Sequence, residues 1–547
     1  MFVKNQLIEL TIEDITDTGE GIGHVDGFTV FVSRAVPGDT VRARIIKVKK
    51  TYAIAKAEEI LTPAAGRVEP KCPVAGSCGG CQLSYLSYEA QLQMKQKKVE
   101  DCIRRIGGFP DVPVLPIIGM DNPFGYRNKG QFPVGGVNGS VYPVLGFYAG
   151  HSHRIVPTKR CMMLWDGHEK ILNAVIDYLM KSGAKPYDEE TGKGLVRHVL
   201  MRRGAATGEV SVCLVVNGRA IPNPEILWES LQEIDGVVGL CLNVNTSRTN
   251  VILGRETIPL FGSVTITDYI GDVSFVISPT SFYQVNPVQM KVLYDTALSY
   301  AGLTGNEVVW DLYCGIGTIS LFLAKHAKRV IGVEIVEDAI KNAKANATRN
   351  NLKNAEFHCG AAEEVVPRLI AEDPTVKPDV VVVDPPRKGC EKSLLETILA
   401  MEPVRIVYVS CDPATLARDL RILADGGYRV DRVQPVDQFP GSVHVETVAL
   451  LSKLSEAKHF VNIKVEMDEM DLTCAESKAT YREIAEWVQE NHGLHVSNLS
   501  IAQVKQKYGI IERENYNKPK LPDSKQPGTS DMRIKAIEEA MRHFQMI

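Results

Sequence analysis

The feature that most restricts this chain is a beat of strand, loop and helix that starts near residue 306. EVVWDLYCGIG reads as a strand running into a glycine loop, and TISLFLAKHA as a helix. RVIGVEI, EDAIKNAKANATRNN, AEFHCG, DVVVVDPP, KSLLETILAM, RIVYVSCDP and ATLARDLRILADGG continue the alternation, and YRVDRVQPVDQ and ETVALL are two closing strands. Near-continuous apolar strands alternating with helices predict a doubly wound parallel sheet, which takes its ligands at the strand C-termini.

The rest of the chain has other rhythms. Residues 1–62 hold short alternating runs such as FTVFVS and VRARIIKV, split by the turn signals DTGEGIG, VDG and PGD, which is the pattern of a small β-barrel. Arg42, Arg44, Lys47, Lys49 and Lys50 carry five positive charges with no acid between them. That is either a solvated edge strand or the basic face with which small barrels hold single-stranded RNA. A helical segment is expected over about 85–106. From Asn122 to Trp165 there is no Asp or Glu, yet the window holds Arg127, Lys129, Arg154, Lys159 and Arg160 together with Phe124, Tyr126, Phe132, Tyr142, Phe147 and Tyr148. Gly192–Ala206 repeats the pattern with Lys193, Arg197, Arg202 and Arg203. Cations mixed with rings suit phosphate contact and base stacking, although most of the rings are expected in strand cores. After about 455 come an acidic stretch at 466–471, helices at about 478–492 and 499–508, a Pro/Lys linker at 517–528 and a last helix bearing Ile534, Ile537, Met541 and Phe544 on one face. The helical pair faintly resembles a helix-turn-helix; an appendage packing on the body or a partner is the plainer reading.

A net charge of -4 decides nothing about nucleic acid. The N-terminus shows no secretory pattern, and no stretch approaches the ~18 apolar residues of a membrane span, so a soluble intracellular protein is expected. Twelve cysteines in 547 residues are too sparse for a disulfide scaffold. Cys102, Cys213, Cys241, Cys359 and Cys474 read as small buried hydrophobes. Cys72, Cys78 and Cys81 are clustered, which in a reducing compartment points to metal or catalysis.

Within the sheet, Asp311-Leu-Tyr-Cys-Gly315-Ile-Gly317 lies at a strand-to-helix turn, where glycines let a ligand approach the backbone. Glu334 ends the next strand, placed to accept hydrogen bonds from ribose hydroxyls. The loop lacks the third glycine of the dinucleotide fingerprint, which tilts away from NAD. Asp384-Pro385-Pro386-Arg387 stiffens the end of VVVV and presents Asp384 at the sheet edge. Ser410-Cys411-Asp412-Pro413 ends the following strand. Cys411 is either a small buried residue or a nucleophile. Carbon 5 of uracil is a poor nucleophile until a thiolate adds to carbon 6, and a cysteine for that purpose belongs at this edge, expected in a pocket that lowers its pKa. The hydrogen at carbon 5 then needs a base. His444 and Glu446 share one side of an extended segment, and Glu446 is the candidate.

SFYQVN, DLYCGIGT, DPPRKG, SCDP and HVE, in this order, resemble the RNA 5-methyluridine (uracil-C5) methyltransferase family, especially its bacterial 23S ribosomal RNA branch; the likeness covers about 1–454. It implies a Rossmann-like class I methyltransferase sheet over 286–454 and an OB-like TRAM barrel for RNA over 1–62. A mixed α+β central domain would occupy 63–285, with a small helical extension over 455–547. It implies that Gln284, Tyr313, Glu334 and Asp384 contact S-adenosylmethionine, that Cys411 is the nucleophile and Glu446 the base, and that Phe282 lies against the target uracil. Cys72, Cys78 and Cys81 match the spacing that, with a distant Cys161, holds a [4Fe–4S] cluster in this branch. Four thiolates suit zinc equally on chemistry alone. The expected substrate is 23S rRNA, in the cytoplasm, with no membrane and no obligate protein partner. The rivals are the same chemistry on a tRNA uridine, and a silent RNA-binding or assembly factor. The tail beyond about 454 departs from the family pattern.

Overall fold

The computed structural model describes residues 2–136, 142–150, 152–454, 481–508 and 530–544. The chain divides into a unit spanning 1–456 and a second spanning 457–547. Among the described residues no helix is long and apolar enough to cross a membrane.

Six strands, β1 (Leu7–Thr11), β2 (Asp14–Ile15), β3 (Gly21–Val25), β4 (Phe28–Ser33), β5 (Thr40–Val48) and β6 (Tyr52–Thr62), form one sheet in the order β1-β5-β6-β4-β3-β2. Alternation drives it: along β5 (Thr40–Val48) Val41, Ala43 and Ile45 are fully buried with Val30, Val32, Ala53 and Ala55. The outward side of β5 corrects the picture of a basic face. Arg42 pairs with Glu9 at 2.9 Å and Glu59 at 2.5 Å, and Arg44 pairs with Glu58 at 2.5 Å. Acids on neighbouring strands neutralise what the single strand leaves bare.

Helix α1 (Tyr88–Asp101) follows the cysteine loop and ends in a π-helical turn, Cys102–Ile106. Seven strands, β7 (Lys129–Gly136), β8 (Pro143–Tyr148), β9 (Ile155–Pro157), β10 (Val196–Arg203), β11 (Val210–Val216), β12 (Val237–Val244) and β13 (Glu256–Gly262), build a second sheet, ordered β13-β12-β11-β10-β7-β8-β9, with α2 (His168–Ser182) and α3 (Pro224–Leu231) sharing its apolar core. Phe132 and Tyr126 are buried, so part of the aromatic run is indeed strand core, while Tyr142 is 64% exposed. The hairpin of β14 (Ile266–Ile270) and β15 (Val273–Ile277) leads through SFYQVN into α4 (Pro287–Ala301).

The third large sheet is the doubly wound one. Its strands are β16 (Val308–Leu312), β17 (Arg329–Glu334), β18 (Ala355–Cys359), β19 (Val380–Val383), β20 (Arg405–Ser410), β21 (Tyr428–Val436) and β22 (Glu446–Lys453). They lie in the order β18-β17-β16-β19-β20-β22-β21. β18 to β20 are parallel to their neighbours; β22 is antiparallel to both β20 and β21. All four valines of β19 are fully buried. At roughly 1.5–3 kcal/mol for each such side chain taken from water, this burial favours a central place in the sheet for β19. α5 (Thr318–Ala324), α6 (Glu337–Arg349), α8 (Lys392–Met401) and α9 (Pro413–Asp425) appear where the sequence places helices. α7 (Ala362–Glu372) does not; it carries Pro367 in its interior, a residue that ordinarily argues against a helix.

The second unit shows α10 (Tyr481–His492), α11 (Asn498–Lys507) and α12 (Asp531–His543), packed through Ile484, Val488, Ile501, Val504, Ile537 and Met541. The acidic stretch, the Pro/Lys linker and Cys474 lie outside the described residues. Of the other cysteines read as core, Cys213 and Cys241 are buried, Cys102 is half-buried and Cys359 is exposed at the end of its strand.

Candidate active site

The crevice forms where the strand order reverses, between β16 and β19, the position at which such sheets bind ligands. Leu312 pairs with Val333 on one side and Val383 on the other, so the next residues, Glu334, Tyr313 and Asp384, end three adjacent strands at one level. The glycine loop closes over this edge. Tyr313 has φ +73, a left-handed conformation that costs a non-glycine residue roughly 1–3 kcal/mol. Gly315 has φ +54, and a side chain there would point into open space. Glu334 accepts hydrogen bonds from the Gly315 amide at 3.2 Å and the Val336 amide at 3.0 Å, which fixes its carboxylate beside the loop. The neighbouring Ile335 is 70% exposed, an apolar platform at the mouth.

Two strands further, the ladder between β20 and β22 ends at the pair Ser410–Thr447. Thr447 donates its hydroxyl to the Ser410 carbonyl at 3.1 Å. One step beyond the last pair lie Cys411 and Glu446, close enough that the Glu446 charge acts on the Cys411 thiol. Asp412 caps α9, accepting from the Ala414 and Thr415 amides at 2.9 and 3.1 Å, so Cys411 is pinned between a strand end and a helix start. Glu446 is buried and its Oε2 has no hydrogen-bond partner.

The electrostatics contradict the expected low thiol pKa. Burial first, then the charges of Glu446 and Asp384, push Cys411 up to about 12, and Arg387 opposes them. Glu446 is buried and Asp384 half-buried, and both carboxyls are raised, chiefly by desolvation. Arg387, 3.3 Å from His444 Nε2, is the cation that offsets this negative cluster. His444 is pushed down to about 4 by burial and by Arg387, so it stands neutral near physiological pH. Below lies Tyr294, fully buried on α4 and bonded to the Thr318 hydroxyl at 2.9 Å.

The SFYQVN segment borders the same site. Phe282 is 71% exposed, and Gln284 is buried with its Oε1 accepting from Gln438 Nε2 at 3.3 Å. Asn128 and Arg202 hold the segment by its carbonyls, Asn128 Nδ2 on Gln284 at 3.0 Å and Arg202 on Ser281 at 2.8 Å. Arg127, Lys129 and Arg202 lie near enough that burial and mutual repulsion lower Lys129 to about 8. The acid-free windows thus deliver a positive cluster beside the site. Arg387 lies inside a motif that gives it no role, and Gln438 lies in none, because their partners His444 and Gln284 come from distant segments.

Cys72, Cys78, Cys81 and Cys161 line one cavity of about 610 Å³, together with Arg127 and Lys129. All four are free thiols. Burial raises Cys78, Cys81 and Cys161, and neighbouring thiols add to each shift. Amide groups counter this: Gly80 N–H points at Cys78 Sγ at 3.4 Å, and those of Met163 and Leu164 at Cys161. Among the described residues no group of three or more His, Cys, Asp or Glu is closed around a single ion position.

Comparison with known proteins agrees with this geometry. The profile of the tRNA (uracil-5-)-methyltransferase family matches residues 270–454, and that of the TRAM domain matches 3–57. An uncharacterized RNA methyltransferase of Halalkalibacterium halodurans is 50% identical over 449 residues, 82% of this chain and 97% of that protein. A second, of Bacillus cereus, is 48% identical over 454 residues, covering 83% and 98%. Among solved structures, the Pyrococcus abyssi tRNA (uracil-54, C5)-methyltransferase in complex with S-adenosyl-L-homocysteine superposes with a TM-score of 0.66 at 29% identity, over 81% of this chain and all of that one. The glycine-loop crevice, the Cys411–Glu446 pair and these likenesses place the chain in the tRNA (uracil-5-)-methyltransferase family of RNA methyltransferases, in a form that carries a TRAM domain.

Proposed function

We propose that this protein methylates carbon 5 of a uridine in 23S ribosomal RNA, in the cytoplasm, through a covalent bond between Cys411 and carbon 6. The observation that carries the reading is the placement of Cys411 and Glu446 one step past the β20–β22 ladder, with Asp384 beside them. Gln284, Tyr313, Glu334 and Asp384 would hold S-adenosylmethionine, which supplies an electrophilic methyl group. Glu334 is already oriented to receive ribose hydroxyls, and the open space over Gly315 leaves room for a ligand against the backbone. The uridine is flipped from its stack and rests against Phe282. The Cys411 thiolate adds to carbon 6, carbon 5 gains the methyl group, Glu446 removes the hydrogen from carbon 5, and elimination frees Cys411.

In this reading 1–62 is the RNA-binding barrel, 63–285 the central domain with the cysteine cavity, 286–454 the methyl-transfer domain and 455–547 an appended helical part. The cysteine quartet fits a [4Fe–4S] cluster by its donors: four free thiols face one cavity, amides point at two of the sulfurs and Arg127 offsets their charge. Cys72, Cys78, Cys81 and Cys161 would hold it, and its contribution is to pin the central region. The spacing of this quartet also underlies the choice of ribosomal RNA. The likeness to a tRNA (uracil-54, C5)-methyltransferase favours a second reading, the same chemistry on a tRNA uridine. Mapping 5-methyluridine in total RNA from cells with and without the gene decides. Loss from 23S rRNA supports the first reading, loss from tRNA the second, and no loss overturns both.

A further inference from the structure

The turn between β21 and β22, residues 437–445, carries His444 and leads directly into Glu446, yet its anchors lie outside the methyl-transfer sheet. Lys95 of α1 places its ammonium 2.5 Å from Asp437 Oδ1 and 3.0 Å from the Phe439 carbonyl, and both Lys95 and Asp437 have no exposed surface. Gln91, one helical turn earlier, accepts the Gly441 amide at 2.9 Å, and the Leu83 amide donates to the Gly441 carbonyl at 2.9 Å. Tyr126 donates to the Pro440 carbonyl at 3.0 Å. Gly441 itself, at φ +82, backs onto Cys81, whose Sγ is 3.6 Å from where a Cβ would stand.

A buried ion pair is a poor source of stability, because stripping water from both charges offsets most of their attraction, and an apolar pair of similar size does as well or better. What the pair does supply is a single allowed placement: the Lys95 ammonium must meet both Asp437 and the Phe439 carbonyl, and no shifted turn satisfies both. Asp437 Oδ2 has no hydrogen-bond partner; the Lys95 ammonium is the cation that meets this carboxylate, and the Tyr88 hydroxyl is the other group that acts on it. The neighbouring Gln438 is equally buried and reaches Gln284.

We infer that Lys95 is a positioning residue for the methyl-transfer reaction: through Asp437 and Phe439 it seats the 437–445 turn so that Glu446 meets the hydrogen at carbon 5 of the adduct. This rests on the functional reading given above. α1 thereby latches the cysteine-loop region to the base.

The test uses the full-length protein, labelled S-adenosylmethionine and total RNA from cells lacking the gene. In Lys95→Met with Asp437→Leu, the two charges leave together. The double variant is expected to melt within a few degrees of the wild type, to bind S-adenosylmethionine within about threefold and to keep KM for RNA within about twofold. Its kcat is expected to fall at least about tenfold, while a protein–RNA adduct accumulates on denaturing gels. A purely structural role would not produce that adduct. Turnover within twofold of the wild type overturns the proposal, as does a loss of kcat without adduct. Should the double variant fail to fold, Gln91→Ala leaves the ion pair intact and removes the acceptor of the Gly441 amide. It is expected to show the same signature more weakly, and normal adduct resolution in it overturns the latch. Wild-type protein that transfers no methyl group to this RNA overturns the functional reading, and the latch's role with it.

Discussion

Cys411 and Glu446 both lie one residue past the Ser410–Thr447 pair at which the β20–β22 ladder ends, and the Glu446 carboxylate acts on the Cys411 thiol. Candidate nucleophile and candidate base thus leave the same end of one ladder, and their roles can be pulled apart by substitution.

Cys411→Ala removes the thiol while leaving the Glu334 and glycine-loop contacts in place. Methyl transfer is expected to fall by about a thousandfold or more, the scale seen when a nucleophile is deleted. S-adenosylmethionine affinity, read by calorimetry, should stay within about twofold. Transfer at the wild-type rate excludes the covalent route.

Glu446→Gln keeps shape and burial but cannot take a proton. The adduct should form and stall, giving an RNA-linked protein band that survives denaturation. Absence of that band, with turnover retained, assigns the base elsewhere.

The pH dependence follows from the direction of the shifts. Burial and neighbouring carboxylates hold Cys411 up at about 12 and raise Glu446 above the ordinary carboxylate range. The reactive forms, thiolate and carboxylate, are both the deprotonated ones, so kcat/KM should climb from pH 6 to 9. Arg387 lowers both groups, so Arg387→Met should move this rise upward by about half a pH unit or more and slow the reaction at pH 7.5. A profile unchanged in Arg387→Met refutes that electrostatic account.

Cys81→Ser tests the quartet. Iron and acid-labile sulfide content, with visible absorbance of the purified protein, should drop, and the melting temperature should fall by several degrees because metal binding is coupled to folding. Stoichiometric zinc in place of iron would answer for the rival metal.

The doubly wound sheet was readable because strands such as Val380–Val383 are buried on both faces and so are apolar throughout, and because Asp384 and Cys411 directly follow such strands. Glu334 and Asp384 are legible as strand ends, whereas Tyr313 enters only through the resemblance, and the pairing of Leu312 with Val333 and Val383 is what brings the three to one level. What the sequence concealed depends on pairing. Arg42 and Arg44 read equally as a solvated edge strand or a basic face because their partners Glu9, Glu58 and Glu59 sit on other strands. The Cys411 pKa was expected low, yet the same carboxylates that make the site useful raise it. Helix α7 was hidden by Pro367. Lys95 and Asp437 are 342 residues apart, beyond any local pattern.

β22 is the last strand of its sheet to be made, yet it slots between β20 and β21 and not at the margin. A chain emerging from the ribosome therefore has Cys411, the glycine loop and Asp384 built before Glu446 exists. Until β22 enters, the sheet has a vacant lane, and β21 is held only from its far side, where residues 113–118 bond to Val433 and Pro435. In the proposed reaction turnover waits for that strand, and an interrupted chain ending before residue 446 would lack the candidate base.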